Sequence, residues 1–305
     1  MKIAILGAGA MGSLLGGQLA LGGKDVTLLD VDQAHLDAIN QHGLTLEFDD
    51  GAKTVCLPAM RPGELQAPVD LLVVLTKTYH TEQALKDAAA AIGPQTQVLT
   101  IQNGLGNVER VATQVPMERV FIGMNLYNGA KQEPGRVSTH GEGKIVLWSA
   151  DGEERPVVHK MVAEIRSAGV TCDANPAVQK DIWEKVCFNT AMNPVSALGR
   201  CTVGGMADFG HELVMSIATE SCTIANAAGF EVNEEAVRKT INMAFEKHRG
   251  HKSSMCQDLL AGRRTEIDAI NGAMAAHAES LGVPAPLNTT LARLIRLAEA
   301  SAAQS

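Results

Sequence analysis

The chain has 305 residues, of which 46% are hydrophobic and 20% charged, and its net charge at pH 7 is -8. This length predicts two domains that each bury a sizeable core, and the composition excludes a disordered protein. The negative charge argues against a nucleic-acid-binding protein, because a protein that binds the phosphate backbone needs a basic face.

The amino-terminal segment MKIAILGAGAMG contains one lysine and an apolar run that soon breaks into glycines. It therefore predicts neither a signal peptide nor a membrane span. The six cysteines include no CxxC pair, which is typical of a reduced, cytoplasmic protein. His248, His251 and Cys256 are close in sequence, but their spacing matches no known metal site, and we expect no bound metal.

A strand, a glycine turn and a helix follow one another at the start of the chain. The apolar run Lys2 to Leu6 precedes GAGAMG, and a helical stretch follows. In a dinucleotide-binding motif the first glycine makes a tight turn, the second admits the pyrophosphate and the third lets the helix pack on the strand. The alternative is a glycine-rich turn without a ligand. We expect a nicotinamide or flavin cofactor to contact Gly7, Gly9, Ala10, Met11 and Gly12.

The second predicted strand, DVTLLD, ends in Asp30, about 20 residues beyond the glycines. An acid at this position accepts hydrogen bonds from the adenine ribose hydroxyls and repels a 2′-phosphate. No arginine precedes Arg61. The sequence therefore favours NAD over NADP. Asp32 could take this role instead, or Asp30 could be an exposed loop residue.

Further apolar runs predict buried strands at Leu71 to Leu75, Val98 to Ile101 and Val120 to Tyr127, and helical segments between them complete a doubly wound α/β domain. Ligands bind such sheets at the carboxyl ends of the strands, where TKT contributes Lys77 and QNGLGN contributes Asn103. Asn103 precedes a glycine and could be only a turn residue. The segment GRVSTHGEGKIVLW predicts an antiparallel strand pair.

From about Cys172 the strand signals fade and helical composition takes over. Lys185, Asn189 and Asn193 recur every four residues, so on a helix they share one face. Solvated residues on a surface helix would have the same spacing, but apolar neighbours such as Trp183 favour a cleft. We expect a dinucleotide-binding Rossmann domain at residues 1–172 and an all-helical substrate and catalytic domain at residues 173–305.

Four motifs together resemble those of the ketopantoate reductases (2-dehydropantoate 2-reductases), over nearly the whole chain. They are GAGAMG, IQNGLGN, WEKVCFNTAMNPVSAL and SSMCQDLLAGRRTEIDAINGAM. The resemblance implies a Rossmann domain followed by an all-helical domain, and the nicotinamide-dependent reduction of a 2-keto acid, ketopantoate, to pantoate.

The resemblance also implies residue roles. Lys185 matches the catalytic lysine, and Glu266 of TEID matches a glutamate where cofactor and substrate meet. The implied substrate-binding residues are Asn103, Asn189, Asn193 and Ser254, with Asn103 also near the nicotinamide. Lys77 matches a lysine that contacts the cofactor. Asp258, Asp268 and Asn271 are expected to brace or cap the surrounding helices.

One departure concerns the cofactor, because NADPH-dependent members of the family carry a basic residue after the second strand, where this chain has Asp30 and Val31. An acid there resembles the NAD-dependent relatives that act on other branched or aromatic 2-hydroxy acids. Competing hypotheses are a hydroxyisobutyrate-type dehydrogenase, which lacks the SSMxQD and TEID pair, and a non-catalytic nucleotide sensor. Helices rich in Ala and Met in the second half could form a homodimer interface.

Overall fold

The computed structural model describes residues 1–302, which divide into two compact units. The first unit comprises residues 1–102 and 107–178, and the second comprises residues 103–106 and the described segment from residue 179 onwards. The boundary that we predict between residues 172 and 173 lies within a strand of the first unit. Most of the first unit alternates strands with helices, whereas the segment from residue 179 is helical.

Twelve strands occur in residues 1–302. They are β1 (Lys2–Leu6), β2 (Asp25–Leu29), β3 (Leu44–Phe48), β4 (Gly51–Val55), β5 (Ala59–Met60), β6 (Leu71–Val74), β7 (Gln97–Thr100), β8 (Val120–Asn125), β9 (Ala130–Glu133), β10 (Arg136–Ser138), β11 (Ile145–Ser149) and β12 (Cys172–Ala174). The strands that we predict near residues 71, 98 and 120 are confirmed as β6, β7 and β8.

The same residues form twelve α-helices. They are α1 (Ala10–Leu21), α2 (Gln33–His42), α3 (Thr81–Asp87), α4 (Asn107–Ala112), α5 (Pro156–Ser167), α6 (Val178–Gly199), α7 (Val203–Phe209), α8 (His211–Ala227), α9 (Glu234–Lys247), α10 (Ser254–Leu260), α11 (Asn271–Leu281) and α12 (Pro286–Ala302). Among residues 1–302, none of these helices combines the length and apolar character needed to cross a membrane.

The first unit is built on an eight-stranded sheet in the order β12, β11, β8, β7, β6, β1, β2, β5. Its strands pair in parallel except for the antiparallel pair β8 and β11. The central strands are buried along almost their whole length, as expected for a parallel sheet covered on both faces. The predicted α/β class of this half is therefore confirmed.

The prediction of a strand pair between residues 135 and 148 is wrong. β10 belongs to a second, four-stranded sheet in the order β4, β3, β10, β9, whereas β11 joins the large sheet. The intervening loop is tied to the end of β3, because Thr139 N donates to Glu47 O at 2.9 Å and Gly141 N donates to Asp49 at 2.8 Å. These contacts hold the loop through which the chain passes from the small sheet to the large one.

The second unit packs its helices around a small apolar core. Its buried members come from α6, α10, α12 and the turn before α11: Ala197, Met255, Cys256, Ile267, Ile270, Ala292 and Ile295. The helices that supply these apolar residues also carry the polar motifs predicted in the second half of the chain. The apolar side chains thus fix the helices on which those polar groups stand.

Candidate active site

The glycine turn has the geometry of a dinucleotide site. Gly7 has φ +99°, and a Cβ built on it would lie 2.5 Å from Thr76 N at the end of β6. A Cβ on Gly12 would overlap the Gly7 carbonyl oxygen. At Gly9, which precedes α1, a Cβ would meet no atom of residues 1–302 within 4 Å, other than its chain neighbours. Gly7 and Gly12 therefore allow close backbone packing, and Gly9 leaves space for a ligand at the helix amino terminus.

A buried histidine supports this turn. Ser13 Oγ, in the second turn of α1, donates to Ala8 O at 2.7 Å and lies 2.9 Å from His35 Nε2. Gly135 N donates to His35 Nδ1 at 2.9 Å, so the ring proton belongs on Nε2 and points at Ser13. Burial lowers the pKa of His35, which favours this neutral ring. No sequence motif indicates this contact, because Gly135 is 100 residues from His35 in the chain.

The two acids after β2 have different partners. Asp32 Oδ1 accepts from His35 N at 3.2 Å and so caps α2, while its Oδ2 lies 2.6 Å from Lys131 Nζ. The hydrogen bond from Lys131 lowers the pKa of Asp32. Asp30 accepts from Val31 N and Asp32 N through Oδ1 alone, which leaves Oδ2 without a partner among residues 1–302. Asp30 is therefore better placed than Asp32 to accept a hydrogen bond from a ligand.

Lys77 lies in the same unit and directly follows Thr76, whose backbone packs on Gly7. It is half-buried and precedes the short 3-10 helix Thr78–His80. Ala10 and Met11, the other predicted cofactor contacts, begin α1 and are also half-buried. The predicted cofactor contacts thus all lie just beyond the carboxyl ends of strands of the large sheet, as the glycines, Asp30 and Lys77 show. This is the edge at which α/β proteins bind ligands. These residues fit a nicotinamide dinucleotide.

The second unit carries the predicted catalytic and substrate-binding residues. Lys185, Asn189 and Asn193 all lie on α6, with a four-residue spacing that corresponds to steps of about 6 Å along the axis. Lys185 and Asn189 are half-buried, and Asn193 is buried. Burial lowers the pKa of Lys185 to about 8, while the negative charge of Glu266 opposes this shift.

Glu266 is buried in the segment that connects α10 to α11. Two contacts from α12 hold the segment on either side of it. Glu299 Oε1 accepts from Thr265 N at 2.7 Å, and Arg296 Nε donates to Asp268 at 2.7 Å. Because its neighbours are fixed in this way, the Glu266 carboxylate has a defined place from which to act on Lys185.

The loop that carries Asn103 packs on this same segment. Leu105 N donates to Ala269 O at 2.8 Å. Gly104 has φ +82°, and a Cβ on it would lie 2.5 Å from Ala269 O. These contacts explain why residues 103–106 belong to the second unit although the flanking chain belongs to the first. Asn103 and Glu266 are thus brought onto neighbouring stretches of one unit.

Ser254 is the first residue of α10, and it is exposed. Its neighbour Ser253 caps that helix, because Ser253 Oγ accepts from Cys256 N at 3.1 Å and donates to Asn193 O at 3.2 Å. α10 is therefore anchored on α6 beside Asn193. Among residues 1–302, no three His, Cys, Asp or Glu side chains form a group that would hold a metal ion. The rings of His248 and His251 stack with centroids 5.3 Å apart.

Comparison with known proteins covers both units. A family model described as "Ketopantoate reductase PanE/ApbA" matches residues 3–152, and its C-terminal counterpart matches residues 177–299. The chain is 33% identical to the 2-dehydropantoate 2-reductase of Streptococcus pyogenes serotype M1 over 303 residues, which is 98% of each chain. It is also 33% identical to the enzyme of that name from Halobacterium salinarum, over 98% of this chain and 99% of that one.

A solved structure of D-mandelate dehydrogenase with NADH and anilino(oxo)acetate is similar as well. It matches this chain with a TM-score of 0.95 and 30% identity, over 99% of both chains.

Proposed function

Because the chain belongs to the ketopantoate reductase family, whose members are oxidoreductases, we propose that it reduces 2-dehydropantoate to pantoate with a nicotinamide cofactor and Lys185 as general acid. The observation that carries this proposal is the placement of Lys185, Asn189 and Asn193 along one helix, where burial lowers the pKa of Lys185 to about 8. A lysine with this pKa gives up its proton more easily near neutral pH than an ordinary lysine.

Each residue has a defined task in this reaction. A nicotinamide held by this chain would supply the hydride to the keto carbon, and Lys185 would protonate the keto oxygen as negative charge develops on it. Glu266 favours the charged ammonium form of Lys185. The amide and hydroxyl groups of Asn103, Asn189, Asn193 and Ser254 hold the 2-keto acid in one orientation, which supplies much of the rate.

Asp30 and the glycine turn are the groups expected to bind the cofactor. Gly7, Gly9, Ala10, Met11 and Gly12 would receive the pyrophosphate, with Lys77 as a further contact. The ribose hydroxyls would donate to Asp30 Oδ2, and a 2′-phosphate would be repelled by the carboxylate. We therefore propose NAD as the preferred cofactor rather than NADP.

A second candidate is an NAD-dependent D-2-hydroxy acid dehydrogenase that acts on another branched or aromatic acid. Asp30 favours it, and so does the similarity to the D-mandelate dehydrogenase solved with NADH. A non-catalytic nucleotide sensor is less favoured, because a sensor has no need of a half-buried lysine with a lowered pKa.

The two halves of the chain have different roles in this reaction. We propose that residues 1–172 bind the cofactor, that residues 173–305 supply the substrate-binding groups apart from Asn103, and that the chain dimerises through its helical half. All six cysteines are free thiols, which supports a cytoplasmic location because disulfides are rare in reducing compartments.

The deciding experiment measures initial rates with ketopantoate and with phenylglyoxylate, each with NADH and with NADPH. Ketopantoate turnover that exceeds phenylglyoxylate turnover would support the pantoate reaction, and the reverse would support the second candidate. No turnover with either acid would contradict the pantoate reaction and the aromatic form of the second candidate. The assay separates the substrate question from the cofactor question, because each acid is tested with each cofactor.

Substitution of the two acids after β2 tests the cofactor assignment. We expect a preference for NADH in the wild type, and we expect Asp30→Asn to reduce the NADH to NADPH ratio of kcat/KM about tenfold, because it removes the repulsion of the 2′-phosphate. Asp32→Asn is the matched control, since Asp32 already binds the α2 amino terminus and Lys131. A larger change in the ratio for Asp32→Asn would assign the ribose to that residue instead.

The pH dependence of the reaction tests the role of Lys185. A general acid must be protonated, so kcat/KM for reduction should be highest below about pH 8 and fall as the pH rises through the Lys185 pKa. Oxidation of the hydroxy acid should show the opposite dependence. Glu266→Gln removes the charge that raises the Lys185 pKa, so the inflection should move to lower pH.

Glu279→Gln is the control for this shift, because Glu279 is exposed on α11. It should leave the inflection where the wild type has it. An inflection that stays in place in Glu266→Gln, or that moves to higher pH, would contradict the assigned electrostatic coupling.

A further inference from the structure

The helix that carries the proposed catalytic lysine contains a proline. Pro194 lies inside α6, directly after Asn193. Proline has no backbone N–H, so it cannot make the helical hydrogen bond to the carbonyl four residues earlier, which is that of Thr190. The Thr190 carbonyl therefore needs a donor from elsewhere, since a buried carbonyl without one costs free energy.

Asn271 provides that donor from another helix. Its Nδ2 donates to Thr190 O at 3.0 Å, from the first residue of α11. The side chain is fully buried, and its second Nδ2 proton goes to Asn288 Oδ1, also at 3.0 Å. Both neighbours of this nitrogen are acceptors, so the amide cannot be turned round without losing two hydrogen bonds.

A buried network fixes Asn271 in turn. Asn288, near the start of α12, donates to Glu220 Oε1 through its backbone N at 2.7 Å and through Nδ2 at 2.8 Å. Glu220 Oε2 accepts from Leu287 N at 2.9 Å. The amino terminus of α12, α8 and α11 thus converge on one carbonyl of α6.

The Asn271 side-chain amide makes its hydrogen bonds through the NH2 group. Among residues 1–302 its Oδ1 is buried and has no hydrogen-bond partner. A leucine of similar size would remove this unsatisfied acceptor, but it would leave the Thr190 carbonyl unsatisfied instead. Position 271 therefore requires the NH2 group as a hydrogen-bond donor, and not only the volume of the side chain.

We propose that Asn271 is a positioning residue for the substrate. It replaces the helical hydrogen bond that Pro194 removes, and so it fixes the turn of α6 on which Asn189 and Asn193 stand. This inference rests on the proposed function, in which those two asparagines orient the 2-keto acid.

The test compares variants that remove the donor with one that restores it. Asn271→Leu and Asn271→Asp both lose the NH2 group, and we expect each to raise KM for the 2-keto acid about tenfold while kcat changes less than about threefold. Asn271→Leu keeps a similar side-chain volume, so a role in packing alone would leave its KM unchanged.

Restoration uses Pro194→Ala, which supplies an N–H for Thr190 O within α6 itself. In the Asn271→Leu background it should recover most of the lost affinity and most of the lost thermal stability. The wild type, Asn271→Leu, Pro194→Ala and the double variant are therefore compared by KM and by Tm in a double-mutant cycle. Additive effects on Tm, or an unchanged KM in both Asn271 variants, would overturn the inference.

The same measurements separate this inference from the proposed function. A wild-type chain that turns over no 2-keto acid overturns the proposed function, together with the role of Asn271 toward substrate. The Tm cycle needs no substrate, so it then decides alone whether Asn271 replaces the helical bond.

Discussion

Replacement of Lys185 with methionine is expected to lower kcat for 2-keto acid reduction about 10²- to 10⁴-fold, which is the usual contribution of a general acid. Methionine is similar to lysine in length but has neither the charge nor the proton. Since Lys185 is only half-buried on α6, the variant should still fold. Steady-state kinetics with saturating cofactor measure the effect.

Two further variants make this test specific. Lys185→Arg keeps the positive charge, but arginine does not release a proton near neutral pH, so it should recover substrate affinity more than kcat. Lys180→Met changes another half-buried lysine on α6 and should leave kcat unchanged. Near wild-type kcat in Lys185→Met would contradict the role of Lys185 as the general acid.

Two glycines of the same motif should respond to alanine in opposite ways. Gly9→Ala adds a methyl group in open space, because apart from the two chain neighbours no atom of residues 1–302 lies within 4 Å of it. Alanine also adopts the φ of -65° that Gly9 has. We therefore expect an unchanged Tm and an affinity for NADH reduced at least about tenfold, because the methyl group occupies the space offered to the pyrophosphate.

Gly12→Ala should instead destabilise the fold. Its methyl group would overlap the Gly7 carbonyl oxygen, and overpacking of this kind costs about 1 to 3 kcal/mol or more. A lower Tm without cofactor is the expected signature. Binding of NADH followed by fluorescence, and unfolding without NADH, distinguish the two variants. A Gly9→Ala chain that binds NADH as the wild type does would place the dinucleotide elsewhere.

The sequence predicted the features that depend on short-range patterns. Lys185, Asn189 and Asn193 repeat every four residues, and they do lie on one helix. The buried runs at β6, β7 and β8 were also recognisable, because strands covered on both faces are apolar throughout. Motif resemblance added the family, which spacing alone could not supply.

Contacts between distant residues were not recognisable in the same way. Lys131 follows Asp32 by 99 residues, and nothing in either segment indicates that they pair. Asn271 was expected to brace a helix, but its partner Thr190 is 81 residues away, and only the fold identifies it. The strand pair predicted near residue 140 failed for a related reason, because its glycines indicate a turn without specifying which sheet each strand joins.

The loop of residues 103–106 affects how this chain could be recombined with its relatives. A graft that exchanged only residues 179–305 would bring a foreign Lys185 helix but keep the host's Asn103, together with Gly104 and Leu105, which contact Ala269. The helical half is therefore not a separable module. A chimera that is meant to transfer substrate preference should carry these four residues together with the carboxyl-terminal segment.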